Sequence, residues 1–201
     1  MPKRKMRGSL WLIPLLPAAL LTTSIPSWAA QPSMQTTGRT SQPIGHAMFC
    51  KQQRDECTTT RVSGPVKLRQ PSWDQLIEIN VLVNHSIEQL TDQEIYGVVE
   101  HWTYPDRAGD CEDLLLLKRY MLIKRGWPPS SLLITVALQP NGEGHAVLTA
   151  RTDRGDFILD NLRDKVLRWD QTDYRYLKRT AEAHAGHWHG INDERRVVTG
   201  S

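Results

Sequence analysis

The sequence predicts an α+β domain in which N-terminal helices pack on an antiparallel β-sheet. Three observations lead there. Helical apolar spacing is concentrated between residues 72 and 124, three short β-branched runs follow between 132 and 160, and the turns separating those runs are too short for helical crossovers. At 201 residues the chain supplies one domain with an ordinary buried core.

The first 29 residues read as a signal peptide rather than as part of the fold. Lys3, Arg4, Lys5 and Arg7 form a positive start, Leu10–Leu16 and Ala18–Leu21 a short apolar stretch, and Ser27-Trp28-Ala29 a small-x-small cleavage site. Pro14 and Pro17 break the apolar stretch, which falls short of the ~20 residues a spanning helix needs. The expected location is therefore periplasmic or secreted, without stable membrane insertion after cleavage. The whole chain carries a formal charge of +3, but taking those four from its 25 basic residues leaves 21 against 22 acidic ones. A mature chain so near neutrality gives no support for a nucleic-acid or anionic-membrane surface.

Residues 30–45, rich in Thr, Ser, Gln, Gly and Pro, read as a flexible lead-in, and residues 46–180 as the folded domain. Cys50 and Cys57 lie in a polar stretch that closes a small loop, and an oxidising compartment favours a disulfide between them. That leaves Cys111 as the free thiol. Ser72, with Gln75 three residues on, opens an amphipathic helix through Leu76, Ile79 and Val83 to about Glu88 or Leu90. Thr91 and Glu94 repeat the capping pattern for a short helix from Asp92 to about Glu100, weakened by Gly97. Gly109-Asp110 breaks the chain, Cys111 starts a helix to Lys124, and Gly126 with Pro128 stops it. Leu132–Leu138, His145–Thr152 and Phe157–Asp160 are strands, joined through turns at Pro140-Asn141-Gly142 and Asp153–Asp156. Residues 181–201 read as a polar C-terminal tail. Its His184, His187 and His189, in a polar segment without thiols, fit a solvated end better than a transition-metal site.

Cys111, His145 and Asp160 then fall at a helix start, a strand start and a strand end. A thiol in the first turn of a helix sits near unpaired N–H groups and the positive end of the dipole, both of which lower its pKa. His145 is the candidate base and Asp160 the group that orients it, a Cys-His-Asp catalytic triad. Asp110 and Glu112 flank the thiol and oppose its ionisation. Two accounts remain for them: a helix cap completed by Asp113, or ligands for calcium, which takes carboxylate oxygens and neutralises them. Trp102 and Tyr104 read equally as cleft wall, as oxyanion-hole components or as core; His85 and His101 read as surface or satisfied residues.

The runs Gly109-Asp110-Cys111-Glu112-Asp113 and Gly144-His145-Ala146-Val147-Leu148 carry a resemblance, together with Asn80–Asn84, Trp102-x-Tyr104-Pro105, Gly126-Trp127-Pro128 and Leu159-Asp160-Asn161. From about Phe49 to Lys178 the chain resembles the bacterial transglutaminase-like cysteine peptidases, which include periplasmic adhesin-releasing LapG proteases. The resemblance implies a papain-like or transglutaminase-like core, with Cys111 as nucleophile, His145 as base and Asp160 as its partner. It also implies calcium bound through Asp110 and Glu112, a surface adhesin as protein substrate, and an inner-membrane regulatory receptor. Leu114 and the Cys50/Cys57 pair depart from the pattern, which touches the substrate and receptor more than the catalytic core. The expected function is an exported thiol endopeptidase. The alternatives are a transglutaminase or amide acyltransferase using the same thioester chemistry, and a non-catalytic calcium-responsive binding protein.

Overall fold

The computed structural model describes Met1 and residues 33–195. Apart from Met1, the expected signal peptide of residues 1–29 lies outside the described residues. In chain order the elements are β1 (Thr36–Thr40), α1 (Ile44–Gln52), α2 (Gln70–Ser86), β2 (Glu88–Gln89), α3 (Asp92–Tyr96), β3 (Ala108–Gly109), α4 (Cys111–Lys124), β4 (Leu132–Leu138), β5 (Gly144–Thr152), β6 (Gly155–Asp160), β7 (Arg163–Arg168), β8 (Arg175–Ala181) and β9 (His184–Ile191). Seven strands form one antiparallel sheet in the order β1-β9-β8-β4-β5-β6-β7, while β2 and β3 make a short parallel pair. The α+β prediction holds.

The main core lies between α2, α4 and the sheet. Leu76, Ile79 and Val83 of α2 and Leu114, Leu115 and Leu122 of α4 meet Ile134, Leu148, Leu159 and Val166. The period of two then sends Val147 and Ile158 to the opposite side, with Met34, Trp169, Tyr174 and Tyr176. The predicted starts of α3 and α4, and the end of α4, match those observed. Thr91 and Glu94 do make a reciprocal capping box, but Gly97, at φ +70°, ends α3 at Tyr96 rather than near Glu100. Helix α2 begins at Gln70, two residues before the expected cap. Ser72 occupies the third helical position, where its hydroxyl oxygen accepts from the Arg69 N–H at 2.9 Å.

Two expectations are corrected. The lead-in of residues 30–45 contains β1 and the start of α1, and the C-terminal tail of 181–201 contains β9. These two polar segments pair with each other, Thr40 opposite Trp188, so each supplies the backbone partner that neither shows by itself. Trp188 is fully buried in the main core. Cys50 and Cys57 form the expected disulfide, tying α1 to the 3₁₀ turn Arg54–Cys57. No helix among the described residues is long and apolar enough to cross a membrane.

Candidate active site

Helix α4 starts at Cys111, a half-buried residue that carries the free thiol of the chain. Behind it Leu114 and Leu115 are buried against the sheet, which fixes where the helix start sits. Cys111 and His145 line one cavity of about 300 Å³, together with Glu100, Trp102, Glu112 and Lys178. His145, second residue of β5, and Asp160, last residue of β6, are both buried. The His145 Nε2–H donates to Asp160 Oδ1 at 2.8 Å. Because a carboxylate only accepts, this bond places a ring proton on Nε2, so that in the neutral ring Nδ1 is the nitrogen that keeps its lone pair. Burial works against the charge of Asp160, but the hydrogen bond and charge of His145, the Tyr174 hydroxyl and the Leu162 N–H outweigh it and hold its pKa below the ordinary carboxylate value. The structure therefore places Cys111 and His145 on one cavity and bonds His145 to Asp160, from three separate elements.

The thiol faces strong opposition to ionising. Cys111 Sγ–H donates to Glu112 Oε2 at 2.5 Å rather than to His145. Burial pushes the Cys111 thiol well up, the Glu112 charge and this hydrogen bond push it further, and the Ala146 N–H acts in the other direction. Glu112 is itself raised to about 7, by burial first and then by the charge of Asp110.

Burial and the charge of Asp92 raise the pKa of Asp110 overall, although the N–H groups of Asp113 and Glu112 favour its charge, as at a helix cap. Asp110 stands at the N-cap position without a side-chain capping bond, and Asp113 Oδ1 instead accepts from the Thr103 N–H at 2.8 Å. Carboxylate oxygens of Asp92, Asp110 and Asp113 converge within 4.8 Å of one another. Asp92 Oδ1, Asp110 Oδ1 and Asp113 Oδ2 are buried and have no hydrogen-bond partner. Three buried acceptors with nothing to accept from are costly unless a shared proton or a cation satisfies them, and an all-oxygen set suits a hard divalent ion such as calcium. The residues present thus fit a calcium ion. Of the two ligands expected from sequence, Asp110 belongs to this cluster, whereas Glu112 is turned toward the sulfur; Asp92 and Asp113 take its place. Gly109 makes the cluster sterically possible, since a Cβ there would lie 2.8 Å from Asp113 Cβ and 2.9 Å from its Oδ2.

The same acids tether the cleft wall. Asp92 Oδ2 accepts from the His101 N–H, and Asp113 holds Thr103, so the segment bearing Glu100 and Trp102 hangs from two members of the cluster. Trp102 is buried and donates from Nε1 to Glu100 Oε2 at 3.0 Å. A Cβ on Gly45 would meet the Trp102 ring at 2.4 Å, so the start of α1 packs directly on this wall. Tyr104 packs against Phe49 at the edge of the core. His85 is an exposed partner of Asp164, and His101 lies against the Tyr96 ring. His184 and His187 stack face to face at 3.9 Å, a geometry that does not converge lone pairs on a metal.

Three contributors carry no local signal in the sequence. Asp92 lies 18 positions before Asp110, Asp113 fits a helix cap equally well, and Tyr174 stands in no motif. Tyr174, whose hydroxyl donates to Asp160 Oδ2 at 2.6 Å, is buried against the His145 ring.

The family model described as bacterial transglutaminase-like cysteine proteinase matches residues 36–196. Among solved structures, Legionella pneumophila LapG is 29% identical with a TM-score of 0.51, covering 60% of this chain and 70% of that one. Its calcium-bound form is 26% identical with a TM-score of 0.52, covering 65% and 77%. The EGTA-treated form is 27% identical with a TM-score of 0.51, covering 65% and 76%. No curated protein matches. With a helix-start thiol, a buried His–Asp pair and a family match across most of its length, the chain belongs to the bacterial transglutaminase-like cysteine proteinase family.

Proposed function

We propose that this cysteine peptidase is an exported, calcium-dependent endopeptidase that cuts a periplasmic or surface protein with Cys111, His145 and Asp160 as its catalytic triad. The observation that carries the reading is the buried His145–Asp160 hydrogen bond of 2.8 Å on the same cavity as the free thiol. His145 Nδ1 takes the thiol proton, and the sulfur attacks the peptide carbonyl carbon to form the C–S bond. Free backbone N–H groups at the start of α4, that of Cys111 among them, receive the developing oxyanion. The imidazolium passes its proton to the leaving amine as the C–N bond breaks. Water then gives a proton to His145 and attacks the thioester, which releases the acid and restores the thiol.

Asp92, Asp110 and Asp113 would hold the calcium, with Glu112 adjoining. A bound calcium supplies positive charge that offsets the acids opposing the Cys111 thiolate. The calcium-bound and EGTA-treated relatives support testing this chain for the same ion. A surface adhesin as substrate and a membrane receptor as regulator extend the reading, on the strength of the resemblance alone.

Cys111→Ala abolishes turnover of the physiological substrate while leaving the circular dichroism spectrum unchanged; cleavage at the wild-type rate would refute the reading. A strain carrying this variant should accumulate the uncut extracytoplasmic protein, which identifies the substrate by its change in length. Chelation should lower the melting temperature of the wild type and stop its activity, with both restored by calcium. Asp113→Asn should lose the calcium-dependent part of the melting shift. A melting temperature indifferent to chelator and calcium would remove the ion from the proposal.

A further inference from the structure

We infer that Tyr174 is a positioning residue for the peptidase reaction: it holds Asp160, and through Asp160 the His145 ring, in the orientation that proton transfer from Cys111 requires. This rests on the catalytic reading given above and extends it to a residue outside the three reacting side chains. Asp160 is only 2% exposed, so the protein itself must satisfy its two oxygens. Oδ1 accepts from His145 Nε2 at 2.8 Å and from the Leu162 N–H at 3.0 Å. Oδ2 accepts from the Tyr174 hydroxyl at 2.6 Å, while the Arg163 Nε stands 3.9 Å away, beyond hydrogen-bonding range. With one oxygen facing His145 and the other fixed by Tyr174, the carboxylate plane has no freedom to rotate about its last bond. The Tyr174 ring also meets the His145 ring edge-on, with centroids 5.2 Å apart and planes at 61°. A single side chain therefore restrains both members of the pair.

Tyr174 is itself anchored. It lies in the link between the 3₁₀ turn Trp169–Gln171 and β8, and is 1% exposed. Arg195 donates to the carbonyl oxygens of Trp169, Thr172 and Tyr174, at 2.9, 3.3 and 2.7 Å, and is paired with Asp193 at 2.7 Å. The Arg163 guanidinium lies 5.0 Å from the Tyr174 ring centre. Ring, backbone and hydroxyl are each held by different partners, as an outer support of a reacting group must be.

The test compares alkylation of Cys111 by iodoacetamide, a neutral electrophile that needs no substrate recognition, in calcium-replete buffer near neutral pH. Tyr174→Phe keeps the ring and removes only the O–H. It should slow alkylation about tenfold, the low end of what losing an outer partner of a functional imidazole costs. If Tyr174 acts through Asp160, the Tyr174→Phe/Asp160→Asn double variant reacts at the rate of Asp160→Asn, so the two effects do not add. The downfield proton resonance of His145 Nε2–H should shift or broaden in Tyr174→Phe while the remaining amide spectrum stays in place, which a general packing loss would not produce. An unchanged alkylation rate with an unmoved Nε2–H resonance would overturn the inference, as would full additivity in the double variant. A wild-type thiol no more reactive than free cysteine would instead bring down the peptidase reading, and this inference with it.

Discussion

Asp160 shows how a residue's surroundings, rather than its type, set its work. Its carboxylate accepts from three donors, on His145, Leu162 and Tyr174. Asp160→Asn keeps the shape but presents an amide that can donate, so the ring is offered the wrong tautomer. Turnover should fall by up to about 10⁴-fold without vanishing, because the thiol and the oxyanion donors remain. Steady-state kinetics reads this directly; loss as complete as that of Cys111→Ala would assign Asp160 a larger part than orientation. At this scale Cys111, His145 and Asp160 were legible because each stands at a predicted break between elements, inside a short run of distinctive residues. Asp92 and Tyr174 were not legible. Their partners lie 18 and 14 positions away, and only the folded chain brings the oxygens together.

The elements divide along the same physical line. Helix α4 and strands β4, β5 and β6 announce themselves through leucines, β-branched residues and the turns between them, and the structure places them within one or two residues of expectation. Strands β1, β7, β8 and β9 carry polar sequences. In β7 only Val166 is buried, and β1 has no fully buried side chain. Strand β8 buries Arg179, which donates to Asp156 Oδ2 at 2.8 Å, so an apparently exposed residue is an internal ion pair. Strand β9 contributes Trp188, whose ring N–H donates to His46 Nδ1 at 3.1 Å. Trp188→Ala should destabilise the domain by about 3–5 kcal/mol, measured by denaturant unfolding. A loss below about 1 kcal/mol would mean that β9 is dispensable to the core, as a solvated tail would be.

For the whole molecule, His46 sets a limit on the acid side. Burial first, and the charge of Arg119 second, lower its pKa from 6.5 to about 3. Its Nδ1 accepts from both Trp188 and Gln42, and protonation there would break both bonds. The unfolded chain binds this proton below about 6.5 while the folded one refuses it until about 3. Stability from this group is therefore complete above about 6.5 and declines as the pH falls toward about 3, by up to about 1.4 kcal/mol per unit. Urea unfolding across that interval should show the decline; a flat profile would refute it. The pairing of β1 with β9 has a further consequence, for when the enzyme first becomes complete. Residues near 40 find their neighbours only near 188, and Lys178 reaches back to the carbonyl of Ser41 beside the cleft. Contacts so distant in sequence form late. The side of the cleft that carries Pro43 and Lys178 is thereby completed only when the longest loop of the described sheet, from Thr40 to Trp188, has closed.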